Sequence, residues 1–173
     1  MRTKPLLPAA LLVLFSLALS GCGFALRGNV SVPAQLQPVF IETSRESIEL
    51  KDSLKRQLAI NAVKVTTRRK EAALILRMEL LDQDTRSVAL DNEARDAEYA
   101  LFESARIMLL NIQGETLRGP RTLQQRRVIV NDPDNPVGEE TESEIVRSEM
   151  LEQLSIRIAQ QLEYWSKQLV ETP

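Results

Sequence analysis

Leu74-Ile75-Leu76-Arg77-Met78-Glu79-Leu80 is the stretch on which the fold turns. Its apolar residues change from a helical spacing to a period of two. Leu74, Leu76, Met78 and Leu80 share one face; Arg77, Glu79 and Gln83 lie on the other with Ile75 and Leu81. Alternation of that kind marks a strand buried on one side. A second alternating run, Tyr99, Leu101, Ala105, Ile107 and Leu109, follows a polar Asp91-Asn92-Glu93 turn, so a hairpin is the simplest connection. Asn111 to Pro120, with Gly114 and Gly119, reads as another turn, and Leu123 to Val130 as a further strand with Arg126 and Arg127 in its middle.

Working outward, Val39-Phe40-Ile41 reads as a first, short strand buried on both faces. Thr43 and Glu46 have capping-box spacing and open a helix whose Leu50, Leu54 and Leu58 recur every fourth residue. Asn61 suits the left-handed residue that ends it, and Val63-Lys64-Val65 returns the chain to an extended state. Downstream, the proline-bearing loop 131–136 leads to a second capping-box pattern at Thr141 and Glu144. Leu151, Leu154, Ile158, Leu162, Trp165 and Leu169 then form the apolar stripe of a long helix. The expected fold is α+β, in the order β-α-β-β-β-α. It has a single, mostly antiparallel four-stranded sheet with two helices packed on one face. The other face must then be polar and solvated, or buried by a partner.

The first 21 residues have a different logic. Arg2 and Lys4 precede an apolar run from Leu6 to Leu19, too short to span a bilayer comfortably. Leu19-Ser20-Gly21-Cys22 follows, the small-residue-then-cysteine pattern of a bacterial lipobox. Residues 1–21 are therefore expected to be a lipoprotein signal peptide, and Cys22 to carry the lipid. Residues 22–38 form a lipidated tether and 39–173 one domain. More than one acyl chain is needed for stable anchoring, and a diacylated Cys22 supplies it.

Composition narrows the function. The chain is 43% hydrophobic and 27% charged, which argues for a folded domain rather than disorder. Two of the 22 basic residues and none of the 24 acidic ones lie in the leader, leaving a net charge of −4 from Cys22 onward. Such a balance disfavours non-specific nucleic-acid binding. There is no histidine, which excludes Ser-His-Asp and Cys-His catalysis and the common His-based zinc sites. Lipidation consumes the sole cysteine, and no P-loop, GxGxxG or EF-hand loop is present. A non-enzymatic protein with no cofactor beyond the lipid on Cys22 is expected.

Cys22-Gly23-Phe24-Ala25-Leu26-Arg27-Gly28 followed by Val32-Pro33 resembles the mature start of the lipopolysaccharide-assembly lipoprotein LptE family. The resemblance continues through Asn61-Ala62-Val63, Ala97-Glu98-Tyr99, Asp134-Asn135-Pro136 and Ile145-Val146-Arg147-Ser148-Glu149-Met150, in order over nearly the whole mature chain. It implies a lipid-anchored protein on the periplasmic side of the outer membrane that forms a heterodimer with the LptD β-barrel. Within the barrel lumen such a protein acts as a plug, helps the barrel fold and assists delivery of lipopolysaccharide to the cell surface. Gly23 after the lipidated cysteine, rather than Asp, fits export onward to the outer membrane.

Arg126 and Arg127, with Arg95 at the hairpin turn, are the candidate contacts to lipopolysaccharide phosphates, since guanidinium binds phosphate oxygens bidentately. The bland alternative is arginines on a solvated strand face or facing a polar barrel lumen. Arg68-Arg69-Lys70 reads as a solvated loop, and Tyr99 and Trp165 as core residues on apolar stripes. Glu98 and Glu103 fall on opposite strand faces, which leaves them without joint acid–base chemistry. A free-standing lipoprotein binding an amphiphilic envelope ligand, and a carboxylate hydrolase, are the competing functions.

Overall fold

The computed structural model describes residues 29–81, 83–90, 92, 96–130 and 136–171. The leader, Cys22, Arg95 and residues 131–135, expected to form a loop, lie outside the described residues. The elements are β1 (Val39–Thr43), α1 (Ile48–Ile60), β2 (Val65–Thr66), β3 (Leu74–Leu80), β4 (Asp84–Leu90), β5 (Asp96–Leu110), β6 (Thr116–Val130) and α2 (Pro136–Glu171).

Among the described residues the sheet has six strands and is mixed, which corrects the four-stranded, mostly antiparallel expectation. β1 lies between β2 and β3 and runs parallel to both, with Val39 opposite Val65 and Leu74. The reason is the length of α1. Thirteen helical residues cover about 20 Å, and the five residues of β1 about 17 Å. α1 therefore returns the chain to the level where β1 began, and β2 sets off in the same direction. The rest of the sheet is antiparallel and organised on β5. β3 pairs with its second half, Ile75 opposite Leu110 through Leu80 opposite Ala105. β4 pairs with its first half, from Asp84 opposite Phe102 to Leu90 opposite Asp96. β6 runs along nearly the whole of the other edge, Glu98 opposite Val130 to Leu110 opposite Thr116. The expected hairpin is thus present, but its first arm continues past a break at Leu81 into β4.

Both helices cover the same sheet face. Leu74, Leu76 and Met78 of β3, Ala105, Ile107 and Leu109 of β5, and Val39 and Ile41 of β1 meet Leu50, Leu54 and Leu58 of α1. Leu151, Leu154, Ile158, Leu162 and Trp165 of α2 complete this main core. Ser53 and Ser155 touch where the helices cross, Oγ to Oγ at 3.2 Å, so small side chains let them approach. Val30 and Val32 are buried in the same core. Asn61 Oδ1 accepts from the Val30 N–H at 2.8 Å and Gln37 Nε2 donates to the Val32 carbonyl at 2.7 Å. The stretch read as a tether is therefore packed at its C-terminal end.

Local signals are displaced in instructive ways. Thr43 does not cap α1; its Oγ1 is buried without a partner, and a short 3-10 turn, Arg45–Ser47, intervenes before Ser47 stands at the helix N-cap. Asn61 ends α1 at φ −93°, and the left-handed residue is Ala62, at φ +56°. Asn61 is occupied instead by side-chain bonds to Val30 and to the Gln57 carbonyl. The turn after β5 closes by Glu115, and Gly119-Pro120 lies inside β6 at a register shift opposite Ile107 and Leu109. α2 starts at Pro136, a residue suited to a first helical turn, so Thr141 is interior and not a cap.

Candidate functional site

β6 presents Arg126 and Arg127 as neighbours on one strand, and alternation sends them to opposite faces. Arg126 pairs with Phe102 and Arg127 with Leu101. Leu101 packs under α2 with Met150 and Val146, so Arg127 is on the helix-covered face and Arg126 on the other. The two cannot clamp one phosphate from the same side. Arg95 lies outside the described residues, and so does Cys22.

Among the described residues no helix covers the face that carries Arg126. Near β1 its charges are matched: Glu42 holds both Arg69 and Arg77, and Arg106 meets Glu79 at 3.5 Å. Ala72, Ile75 and Leu110, with Phe40 and Met108, fill the space beneath them. Arg69 of the basic run 68–70 is therefore half-buried in an ion pair, and Arg68 pairs with Glu71 at 2.5 Å. Further along the sheet the matching stops. Arg86 on β4 stands with its guanidinium carbon 4.8 Å from the centroid of the Phe102 ring and pairs with Asp84 at 2.6 Å. Arg126 is the cross-strand partner of Phe102 on β6, is exposed, and has no ion-pair partner among the described residues. An aromatic under one guanidinium, with a second, unpaired arginine opposite it in the register, offers an anionic amphiphile both charge and apolar surface. Arg86 carried no signal in the sequence beyond its period-two position opposite Ala100.

The helix-covered face holds a residue whose importance the sequence concealed. Glu103 is fully buried on β5, and Arg147 of α2 donates through Nη1 to its Oε1 at 2.6 Å. The other terminal nitrogen of Arg147 donates to Thr85 Oγ1 on β4 at 2.9 Å. Oε2 of Glu103 is buried and has no hydrogen-bond donor among the described residues. Burial pushes the Glu103 carboxyl above the usual glutamate range, the bond and charge of Arg147 pull it back, and Glu49 on α1 adds a small upward push. Glu98 lies on the opposite face, as its odd separation requires.

The family model described as lipopolysaccharide-assembly, LptE, matches residues 35–162, from ahead of β1 to within α2. The chain belongs to the LptE family. Among relatives named LPS-assembly lipoprotein LptE, that of Photorhabdus laumondii is 31% identical, over 88% of this chain and 82% of its own. That of Pectobacterium atrosepticum is 29% identical, over 83% and 77%. In fold, the chain is similar to a lipoprotein B of Nitrosomonas europaea, with a TM-score of 0.68 at 20% identity, covering 84% of this chain and 93% of that one. The rare lipoprotein B of Shewanella oneidensis gives a TM-score of 0.65 at 23% identity, covering 76% and 97%. The LptE family resemblance read from the start of the mature chain and the ordered motifs is thereby borne out. So is an α+β fold of two helices on one sheet.

Proposed function

We propose that this chain serves lipopolysaccharide assembly as the lipoprotein subunit of the LptD β-barrel. It plugs the barrel from the periplasmic side, helps it fold, and assists lipopolysaccharide delivery to the cell surface without covalent chemistry. Lipid on Cys22 holds it to the outer membrane. The observation that carries this reading is a sheet face without helical cover, on which one guanidinium, Arg126, is left unneutralised beside Phe102 and Arg86. A polar barrel lumen suits the charged part of that face, and an anionic lipid suits the unpaired cation. Family membership supports the same reading.

Detergent extraction and affinity purification of the tagged full-length chain test it. The expected result is a large barrel in one-to-one ratio, and Cys22→Ala should leave an unacylated, mislocalised form. A lone monomer would overturn the plug and favour a free-standing lipoprotein that binds an amphiphilic envelope ligand. Normal acylation of Cys22→Ala would remove the anchor assigned to that residue.

A further inference from the structure

α2 is one helix in two packing regimes. From Met150 to Ser166 ten side chains are buried; from Gly138 to Glu149 none of the described ones is. The earlier turns lie over a small separate cluster, Leu101, Ile129 and Met150, with Tyr99 and Val146 at its margin. Only the first turn of α1 comes near this region. It begins level with Leu80, whose N–H donates to Ser47 Oγ at 2.8 Å, and its Glu49 reaches α2 only at Ser148, 3.4 Å away. Arg147, shared between Glu103 and Thr85, ties the earlier turns to β5 and β4.

A buried carboxylate with one donor and one orphan oxygen is under-compensated. The charged and titratable groups around Glu103 are Arg147 from α2 and Glu49 from α1, with Arg127 one pair along on the same face of β6. β4 contributes the uncharged Thr85, and Gln125 of β6 stands directly opposite Glu103. One bonded cation, a second farther along β6 and a further anion do not replace the water that Glu103 gives up. Opening the helix would rehydrate the carboxylate, so ionisation of Glu103 works against closure and a proton works for it.

We propose that the α2 turns before Met150 are a lid over the Tyr99–Leu101–Ile129 strip, held by Arg147 across Glu103 and Thr85. The negative charge on Glu103 loads this catch, so that the lid closes more tightly when Glu103 is protonated. Opening bares an apolar strip between β5 and β6 while the main core stays packed. The device is independent of the barrel and lipopolysaccharide reading above.

Amide hydrogen exchange on the full-length chain in detergent tests it, with intrinsic exchange rates divided out at each pH. The expected result is that protection of residues 141–149 rises as pH is lowered toward the ordinary glutamate range. Arg147→Met should cost that segment about 10-fold or more in protection near neutral pH, the scale of one charge-assisted hydrogen bond. Residues 154–166 should be unaffected. Glu103→Gln should remove the pH response, and Glu103→Gln combined with Arg147→Met should recover most of the protection. Unchanged protection in Arg147→Met overturns the latch, and equal loss in both segments makes it a general stability effect. Failure of Glu103→Gln to rescue Arg147→Met overturns the load on the catch.

Discussion

The half of the sheet near Val30 and Val32 and the half beyond Glu103 are built on the same two long strands, yet they are stabilised differently. Near Val30 the sheet is five strands wide, and two helices lie on it. Leu54, Ile107, Leu154 and Ile158 are wholly buried there. Each such side chain contributes about 1.5–3 kcal/mol through burial. In the distal half only β4, β5 and β6 continue, α2 alone covers them, and three buried residues make up the cluster. A polar contact, Arg147 with Glu103 and Thr85, substitutes there for the packing that a second helix would supply. The arginines split along the same line, matched by Glu42 and Glu79 near β1 and left partly unmatched at Arg126. One half is a scaffold. The other carries the uncovered face proposed above to meet a ligand or partner.

The sharpest way to break this comparison is to charge each core in turn. Leu154→Asp should cost more than about 4 kcal/mol and unfold the chain, because a carboxylate would enter a full core with no partner. Ile129→Asp, in the distal cluster, should cost no more than about 3 kcal/mol. It should leave the fluorescence of the buried Trp165 native. Circular dichroism melts read together with Trp165 emission decide the matter. Equal losses in the two variants would mean one cooperative core rather than two.

Gly119 tests the join between strands and helix in the scaffold half. It sits at φ +91°, and a Cβ there would stand 3.0 Å from the Ile107 carbonyl oxygen and 3.2 Å from Cη2 of Trp165. Gly119→Ala should therefore lower stability by about 1–3 kcal/mol. A melting temperature equal to that of the parent chain would show that β6 and α2 shift to make room.

These residues also show what was legible in the sequence. The period-two run at Leu74–Leu80 and the stripe from Leu151 to Leu169 could be read because a buried face imposes its spacing on the chain. The direction of β1 could not, since parallel pairing depends on how far α1 carries the chain, not on which residues face inward. Gly119 and Pro120 looked like a turn because turn residues also serve bulges within a long strand. Of the two arginines near Phe102, Arg126 stood out in the sequence and Arg86 did not: a lone arginine on a strand gives no hint that an aromatic lies diagonally across from it. Glu103 looked bland because its meaning depends on Arg147, 44 residues away.

A smaller effect separates the halves by pH. Because burial holds the Glu103 carboxyl above its ordinary value of 4.5, the folded chain binds that proton more tightly than the unfolded chain does. Its contribution to stability is then fully present below the ordinary value and is lost as pH rises through the raised one. Glu103→Gln should flatten the fall in melting temperature from just above pH 4.5 toward neutrality. An unchanged slope would place the dependence on other carboxylates.

The smallest effect on stability, and the most informative for function, should come from parting the two adjacent arginines. Both are exposed, neither has an ion-pair partner among the described residues, and exposed substitutions of this kind shift stability by less than about 0.5 kcal/mol. They differ only in the face on which they stand. Arg126→Glu places a negative charge beside Phe102 and under the reach of Arg86, where a phosphate would sit. It should weaken lipopolysaccharide binding about 10-fold or more, the loss of one charge-assisted contact, with the deficit shrinking as salt is raised. Arg127→Glu, on the helix-covered face, should leave binding near that of the parent chain. Titration of the purified chain with lipopolysaccharide at two salt concentrations, beside copurification of the barrel, separates the outcomes. Equal losses in both variants would mean that the ligand responds to the net charge of the β6 edge and not to one face. Loss of the barrel without loss of lipopolysaccharide would turn the uncovered face from a ligand site into the surface that the barrel wall grips.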